Sequence, residues 1–152
     1  MVLSGSRLTN VTDIPKPMAP INNLPFLTYL LTYLSFYNFS KVHLAVGYKH
    51  TKISKHFGNK FKDLTLNYII EDKPLGTGGA IKKALTAVKS DHVFILNGDT
   101  FFELDFEAFE VFHQKNNADV TLALKPMSDF DRYGTVDYDK HFRIINFTEK
   151  KF

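Results

Sequence analysis

The feature that most constrains this chain is an alternation. Short apolar runs of strand length take turns with segments whose apolar residues recur at helical spacing. Phe26, Leu27, Leu30, Leu31 and Leu34 mark one helix face, and Pro25 suits its first turn. Val42 to Val46 follow as a buried strand, Thr51 to Phe57 as a short helix, and Thr65 to Ile70 as an alternating strand. Ile81, Ala84, Leu85 and Val88 form the next helix face, and His92 to Leu96 a compact strand. Phe106, Phe109 and Phe112 recur in a helix that Asp105 is placed to cap. Val120 to Leu124 read as a strand, and Gly134 to Tyr138 pairs with Arg143 to Phe147 as a hairpin across Asp139–Lys140. This order implies the α/β class, a Rossmann-like three-layer α/β/α sandwich around a mostly parallel, mixed sheet. Ligands in such sheets bind outside the carboxyl ends of the strands, so the loops that follow strands carry the function.

Composition narrows the class further. A chain of 152 residues suits one domain, 1–152, and 44% hydrophobic with 23% charged residues is ordinary for a globular protein. The net charge is +3, and the lysines and arginines are dispersed rather than clustered. That favours a solvated surface over a nucleic-acid stripe, whereas a small phosphate ester needs only a few placed cations. The absence of cysteine excludes disulfides, zinc–thiolate sites and a cysteine nucleophile, and it fits a reducing, cytoplasmic setting. Met1 to Asn10 lack a signal-peptide profile, and the apolar stretch Pro25 to Phe39 is too short and too mixed to span a bilayer. The six histidines show no metal-ligand spacing, and the fifteen phenylalanines suit a core.

Three loops stand out. Leu96-Asn97-Gly98-Asp99-Thr100 closes a strand, so Asp99 faces the ligand crevice, where it suits either a Mg²⁺ site or a turn beside Gly98. Glu71-Asp72-Lys73-Pro74-Leu75-Gly76-Thr77-Gly78-Gly79-Ala80 joins a strand to a helix. Its glycines let a ligand approach the backbone, or simply make a tight turn. Ile14-Pro15-Lys16-Pro17-Met18-Ala19-Pro20-Ile21 brackets one lysine with prolines, which presents Lys16 to phosphate or to solvent at little ordering cost.

Taken in order, these loops and three further segments resemble the sugar-1-phosphate nucleotidylyltransferase family, with the bacterial heptose-1-phosphate and mannose-1-phosphate guanylyltransferases closest in pattern. The further segments are Gly5-Ser6-Arg7-Leu8, Arg132-Tyr133-Gly134-Thr135-Val136 and Phe147-Thr148-Glu149-Lys150. The resemblance implies a nucleotide-diphospho-sugar transferase fold, a nucleoside triphosphate and a sugar 1-phosphate as substrates, and Mg²⁺ as cofactor. It also implies roles. Arg7, Lys16 and Asp99 are the expected catalytic residues, with Asp99 the metal ligand. Gly5, Pro74, Gly76, Thr77 and Asn97 are expected to hold the nucleotide, and Gly134, Glu149 and Lys150 the sugar phosphate. A bulky residue at Gly76 is expected to crowd the base.

The chain departs from the family pattern in two places. The family's first loop reads roughly Gly-Gly-x-Gly-Thr/Ser-Arg after a strand. Here either Val2 and Leu3 stand where its first glycines belong, or Met1 to Gly5 keep the strand and the loop is several residues short. Beyond Glu149-Lys150 the family continues with further elements and a second acidic metal ligand. The expectation is a domain incomplete at its C-terminus and a poor catalyst on its own. Three readings then compete: an active guanylyltransferase, a binding-only relative, and an unrelated α/β regulatory domain. A homo-oligomer or a complementing C-terminal chain is the expected protein partner, and no nucleic acid or membrane is.

Overall fold

A computed structural model describes residues 2–4, 14–128 and 134–149, the first three as backbone only. The chain forms two compact units, Met1–Glu103 and Leu104–Phe152.

In the first unit a five-stranded sheet is built from β1 (Val2–Ser4), β4 (Lys41–Val46), β5 (Lys60–Phe61), β6 (Leu64–Ile70) and β7 (Ile95–Asn97). Their order is β5-β6-β4-β1-β7. β6, β4, β1 and β7 run parallel, and only the two-residue β5 is antiparallel. The mixed, mostly parallel sheet expected from the alternation is therefore present. Val2–Ser4 form a strand, so the chain keeps the first strand instead of placing Val2 and Leu3 in a loop.

The crossovers explain the layers. β1 leads to β4 through α1 (Phe26–Leu34), and β4 leads to β6 through α2 (His50–Phe57). Both steps move the same way across the sheet. From β6 the chain returns through α3 (Gly76–Leu85) to β7, on the far side of β1. Right-handed crossovers put α1 and α2 on one face and α3 on the other.

The packing follows the same division. Leu27, Leu30, Leu31 and Leu34 of α1 are all buried, as are Val42, Leu44 and Val46 of β4 and Ile53 and Phe57 of α2. Each such leucine contributes about 1.5–3 kcal/mol of burial. On the α3 side, Ala45 packs with Ala80 and Ala84, flanked by Ile69, Val88 and Val93. The buried face of α3 is thus Ala80 and Ala84, whereas Leu85, expected to be buried, is 40% exposed. Small residues on both elements let helix and sheet approach closely, which turns Leu85 outward.

Most element ends fall within a residue of the sequence expectation, and three differences bear on the loops. α3 begins at Gly76, so its three glycines make its first turn and not a preceding loop. β7 begins at Ile95, three residues after His92. Pro25 precedes α1 as its cap residue and also pairs with Pro20, in the small ladder of β2 (Pro20–Ile21) and β3 (Leu24–Pro25).

The second unit holds α4 (Phe106–Lys115), β8 (Thr135–Tyr138) and β9 (Ile144–Thr148). Asp105 caps α4 as expected, its Oδ1 accepting from the Ala108 amide at 2.9 Å. The hairpin β8–β9 also forms, but its turn spans Asp139–Arg143 and not two residues. Asp139 organises that turn by accepting from the amides of His141 (2.8 Å) and Arg143 (2.9 Å). The Arg143 amide, and after it the His141 amide, holds its carboxyl below the usual range. Val120 to Leu124 form no strand, and Val120 is 71% exposed. A strand exists only through its ladder bonds, and among the described residues nothing pairs with this run. Among the described residues no helix is long and apolar enough to cross a membrane.

One buried polar pair sits in the sheet. His43 is 4% exposed, and its Nδ1 lies 3.1 Å from Asn67 Nδ2 on the neighbouring strand. An amide nitrogen only donates, so Nδ1 accepts and the ring is neutral. Burial, and after it nearby positive charge including Lys41, holds His43 below the ordinary 6.5 of histidine. Below pH 6.5 the unfolded chain therefore binds more protons than the native one. Stability is fully present above 6.5 and declines as pH falls toward the lowered native value, at no more than about 1.4 kcal/mol per pH unit. Urea unfolding at pH 7.5 and 5.5 should show this loss, and His43→Gln should reduce it. An unchanged pH dependence in that variant would remove His43 as its source.

Candidate active site

The direction of the crossovers reverses at β1. The connection from β1 leaves toward β4, while β7, on its other side, is reached from the opposite direction. A crevice opens at such a point, outside the carboxyl ends of the two strands. Ser4 and Asn97 are register partners there, so the residues that follow Asn97 enter the crevice beside the end of β1.

After Asn97 come buried Gly98 and then Asp99. The Lys16 ammonium lies 3.6 Å from Asp99 Oδ2, with the two side chains 34% and 26% exposed. Lys16 opens a 3-10 turn, Lys16–Met18, entered from extended Pro15 and continued by Pro17. The Met18 amide donates to the Pro15 carbonyl at 2.8 Å, and the Ala19 amide to the Lys16 carbonyl at 2.9 Å. The Phe26 amide then donates to Ala19, and the Tyr29 hydroxyl to the Ile21 carbonyl. The proline-rich segment is thereby tied to α1, and Lys16 is presented from a stiff turn, as its bracketing prolines imply. The ion pair itself contributes at most about 1 kcal/mol. Its significance is chemical, because it sets one cation and one anion at the crevice mouth.

The glycine segment lies on the same carboxyl edge, after β6. β6 is two strands from β1, roughly 10 Å along the sheet. Gly76 has φ +71° and opens α3, and no side-chain oxygen caps the helix. Pro74, Gly76, Thr77 and Asn97 are all exposed. Glu71, just past β6, is a group the sequence reading passed over. Its Oε2 accepts from the Leu75 amide at 3.3 Å, and its own amide donates to the Val46 carbonyl at 2.7 Å. The signal for it was the one used for Asp99, an acidic residue at the end of a parallel strand.

In the second unit the register Thr135↔Thr148 sets Gly134 and Glu149 opposite each other at the open end of the hairpin. A Cβ on Gly134 would meet the Thr148 carbonyl at 3.0 Å and Phe147 Cζ at 3.2 Å, so a side chain there would press on β9 and glycine lets the two strands approach closely. Gly5, Arg7, Arg132, Tyr133 and Lys150 lie outside the described residues. Among the described residues no three histidine, aspartate or glutamate side chains gather as a metal cluster. A single carboxylate at Asp99 still fits Mg²⁺, which takes one or two carboxylates and completes its shell with water and phosphate oxygens.

The family model for nucleotidyl transferase matches residues 4–150, and the chain belongs to that family. It is 48% identical over 149 residues to a D-glycero-alpha-D-manno-heptose 1-phosphate guanylyltransferase of Aneurinibacillus thermoaerophilus, covering 97% of this chain and 64% of the relative. It is 47% identical to the protein of the same name in Campylobacter jejuni, covering 97% and 65%. The chain thus spans about two-thirds of the length of these relatives. Among solved structures, HddC from Yersinia pseudotuberculosis superposes with a TM-score of 0.83 at 34% identity, covering 99% of this chain and 68% of that one. Its complex with GMP-PN superposes at 0.81 and 33% identity, with the same coverage.

The glycines of α3 differ in what they require. A Cβ on Gly79 would stand 2.7 Å from Leu75 Cβ, whereas one on Gly78 would meet nothing within 4 Å. Gly79→Ala should cost about 1–3 kcal/mol through that overlap. Gly78→Ala should stabilise by up to about 1 kcal/mol through helix propensity. Urea midpoints measure both, and equal effects would mean that the Leu75–Gly79 approach is not tight. Gly76 suits neither test. Its left-handed backbone makes Gly76→Val costly by about 1–2 kcal/mol whatever a ligand does, so crowding of a base cannot be isolated there.

Proposed function

We propose that the chain is the nucleotide-binding portion of a cytoplasmic sugar-1-phosphate guanylyltransferase, one domain of a longer catalytic unit. It would transfer GMP from GTP to a heptose- or mannose-type sugar 1-phosphate, giving the GDP-sugar and pyrophosphate for surface polysaccharide synthesis. The observation that carries this reading is the Lys16–Asp99 pair, 3.6 Å apart where the crossovers reverse. The guanylyltransferase names of its relatives, and HddC in complex with GMP-PN, support the guanine nucleotide.

The chemistry is an in-line displacement. An oxygen of the sugar phosphate forms a bond to the α-phosphorus, and the bond from that phosphorus to the bridging oxygen breaks. The electron pair leaves with pyrophosphate. The phosphate oxygen is already a nucleophile, so no protein base is required. Charge neutralisation and positioning supply the acceleration. Lys16 would release Asp99 and turn its ammonium toward the triphosphate. Asp99 would hold Mg²⁺, which when bound offsets the charge of the phosphates. Arg7 and the amide of Gly5 would complete the cradle. The backbone from Pro74 to Thr77 would lie against the base, with Asn97 beside the nucleotide. Glu71 has the chemistry for guanine, because a carboxylate accepts two parallel donors and guanine's Watson–Crick edge presents N1–H and N2–H₂ together. Gly134, Glu149 and Lys150 would take the sugar phosphate.

A binding-only module is the second reading. It is supported by the sequence Ser4-Gly5-Ser6-Arg7, which after the strand Val2–Ser4 has fewer glycines than the family's Gly-Gly-x-Gly-Thr/Ser-Arg.

The test compares this chain with the same chain joined to the C-terminal third of the Aneurinibacillus relative. Calorimetry with GTP and a coupled assay of pyrophosphate release with heptose 1-phosphate would be run on both. Both forms should bind GTP, and the joined form should turn over faster. Lys16→Ala should lower turnover in the joined form by on the order of 10²–10³, the usual effect of losing one preorganised donor. GTP binding without pyrophosphate release from either form would favour the binding module. No GTP binding at all would end both readings.

A further inference from the structure

Lys83 lies on α3, about one turn beyond Gly79, and the proposed chemistry gives it no role. Its ammonium donates to the Ile70 carbonyl and lies 3.8 Å from Asp72 Oδ2. These two contacts fall on either side of Glu71. The Asp72 side chain is 93% exposed, so solvent screens that ion pair and the carbonyl contact matters more.

The direction of that carbonyl explains the contact. The Glu71 amide donates to Val46, which turns its N–H toward β4. The carbonyl of Ile70 belongs to the same trans peptide and points the opposite way. On that side β5 pairs only with Leu64 and Thr65, so among the described residues no strand reaches Ile70. Lys83 supplies the donor that the sheet lacks there. It also connects α3 to the last residue of β6, which fixes where the helix stands relative to Glu71. Two further contacts close the loop: the Leu75 amide on Glu71 Oε2, and the approach of Leu75 to Gly79.

We propose that Lys83 is a positioning residue for nucleotide binding, holding the 71–79 segment in its ligand-ready form by tying α3 to the Ile70 carbonyl. The proposal rests on the reading of that segment as the base site. Without the tie the segment spends only a fraction of its time in the competent form, and the apparent dissociation constant rises by the inverse of that fraction.

The test uses Lys83→Met, which keeps length and apolar stem, and Lys83→Arg, which restores a donor. Hydrogen exchange should show faster exchange at the amides of 75–79 in Lys83→Met, with β4 amides unchanged. Calorimetry should show GTP binding weakened about tenfold and GMP binding weakened alike, because the base is shared. Lys83→Arg should recover most of both effects. Faster exchange throughout the first unit would make Lys83 a general stability residue and overturn the proposal. So would unchanged exchange at 75–79, or GTP affinity within twofold of the parent. If the parent chain binds no guanine nucleotide, the base-site reading fails and the positioning role in nucleotide binding is overturned with it. The exchange result would then report only whether Lys83 orders the loop.

Discussion

Three residues, Val2–Ser4, hold the first unit together. Every parallel rung between Lys41–Val46 and Ile95–Asn97 passes through them. The reversal of crossover direction also falls there, so the strand that joins the two halves of the sheet opens the crevice between them. Asp99 reaches that crevice because β7 pairs with β1 in a register that ends both strands together. Lys16 meets Asp99 from the proline-bracketed turn that is tied to the start of α1. The placement of Asp99 is therefore a consequence of sheet order, and that of Lys16 a consequence of the turn before α1.

Helix α3 is the second determinant. Its glycines and alanines give it little side-chain bulk on the face that meets Ala45. That low bulk lets the helix start immediately beside the end of β6, with Gly79 against Leu75. The features that bring the backbone from Pro74 to Thr77 to the surface are the ones that weaken the helix intrinsically. Each interior glycine costs about 1 kcal/mol relative to alanine. Tertiary contacts offset the deficit through Ala80, Ala84 and the packing of Val88.

What could be read from the sequence was what depends on near neighbours. Asp105 capping α4 and the leucine stripe of α1 are local, and each was legible. The place of Asp99 at a strand end was legible because a strand end fixes where the chain next emerges. The start of α3 was not, because three glycines in four positions read as a turn until packing overrides propensity. Val120 to Leu124 carries strand-forming residues, but a strand needs a neighbour, which composition cannot supply. The hairpin turn was underestimated because the carboxylate of Asp139, by collecting two amides, stabilises a longer loop than Asp139–Lys140. Glu71 was overlooked beside a more conspicuous run of glycines.

The outer side of β6 has one more consequence. A sheet edge with unmet carbonyls invites another chain to add a strand, and natural sheets discourage this with a charge set at the edge. β5 and the residue before it shield β6 at Leu64, Thr65 and Leu66. At the opposite end of the strand an ammonium already occupies the Ile70 carbonyl. An extended segment arriving at that edge would have to displace a cation, or bury one against its own backbone. A charge on that carbonyl works against strand addition at this end of β6, in the way that edge charges do in other sheets.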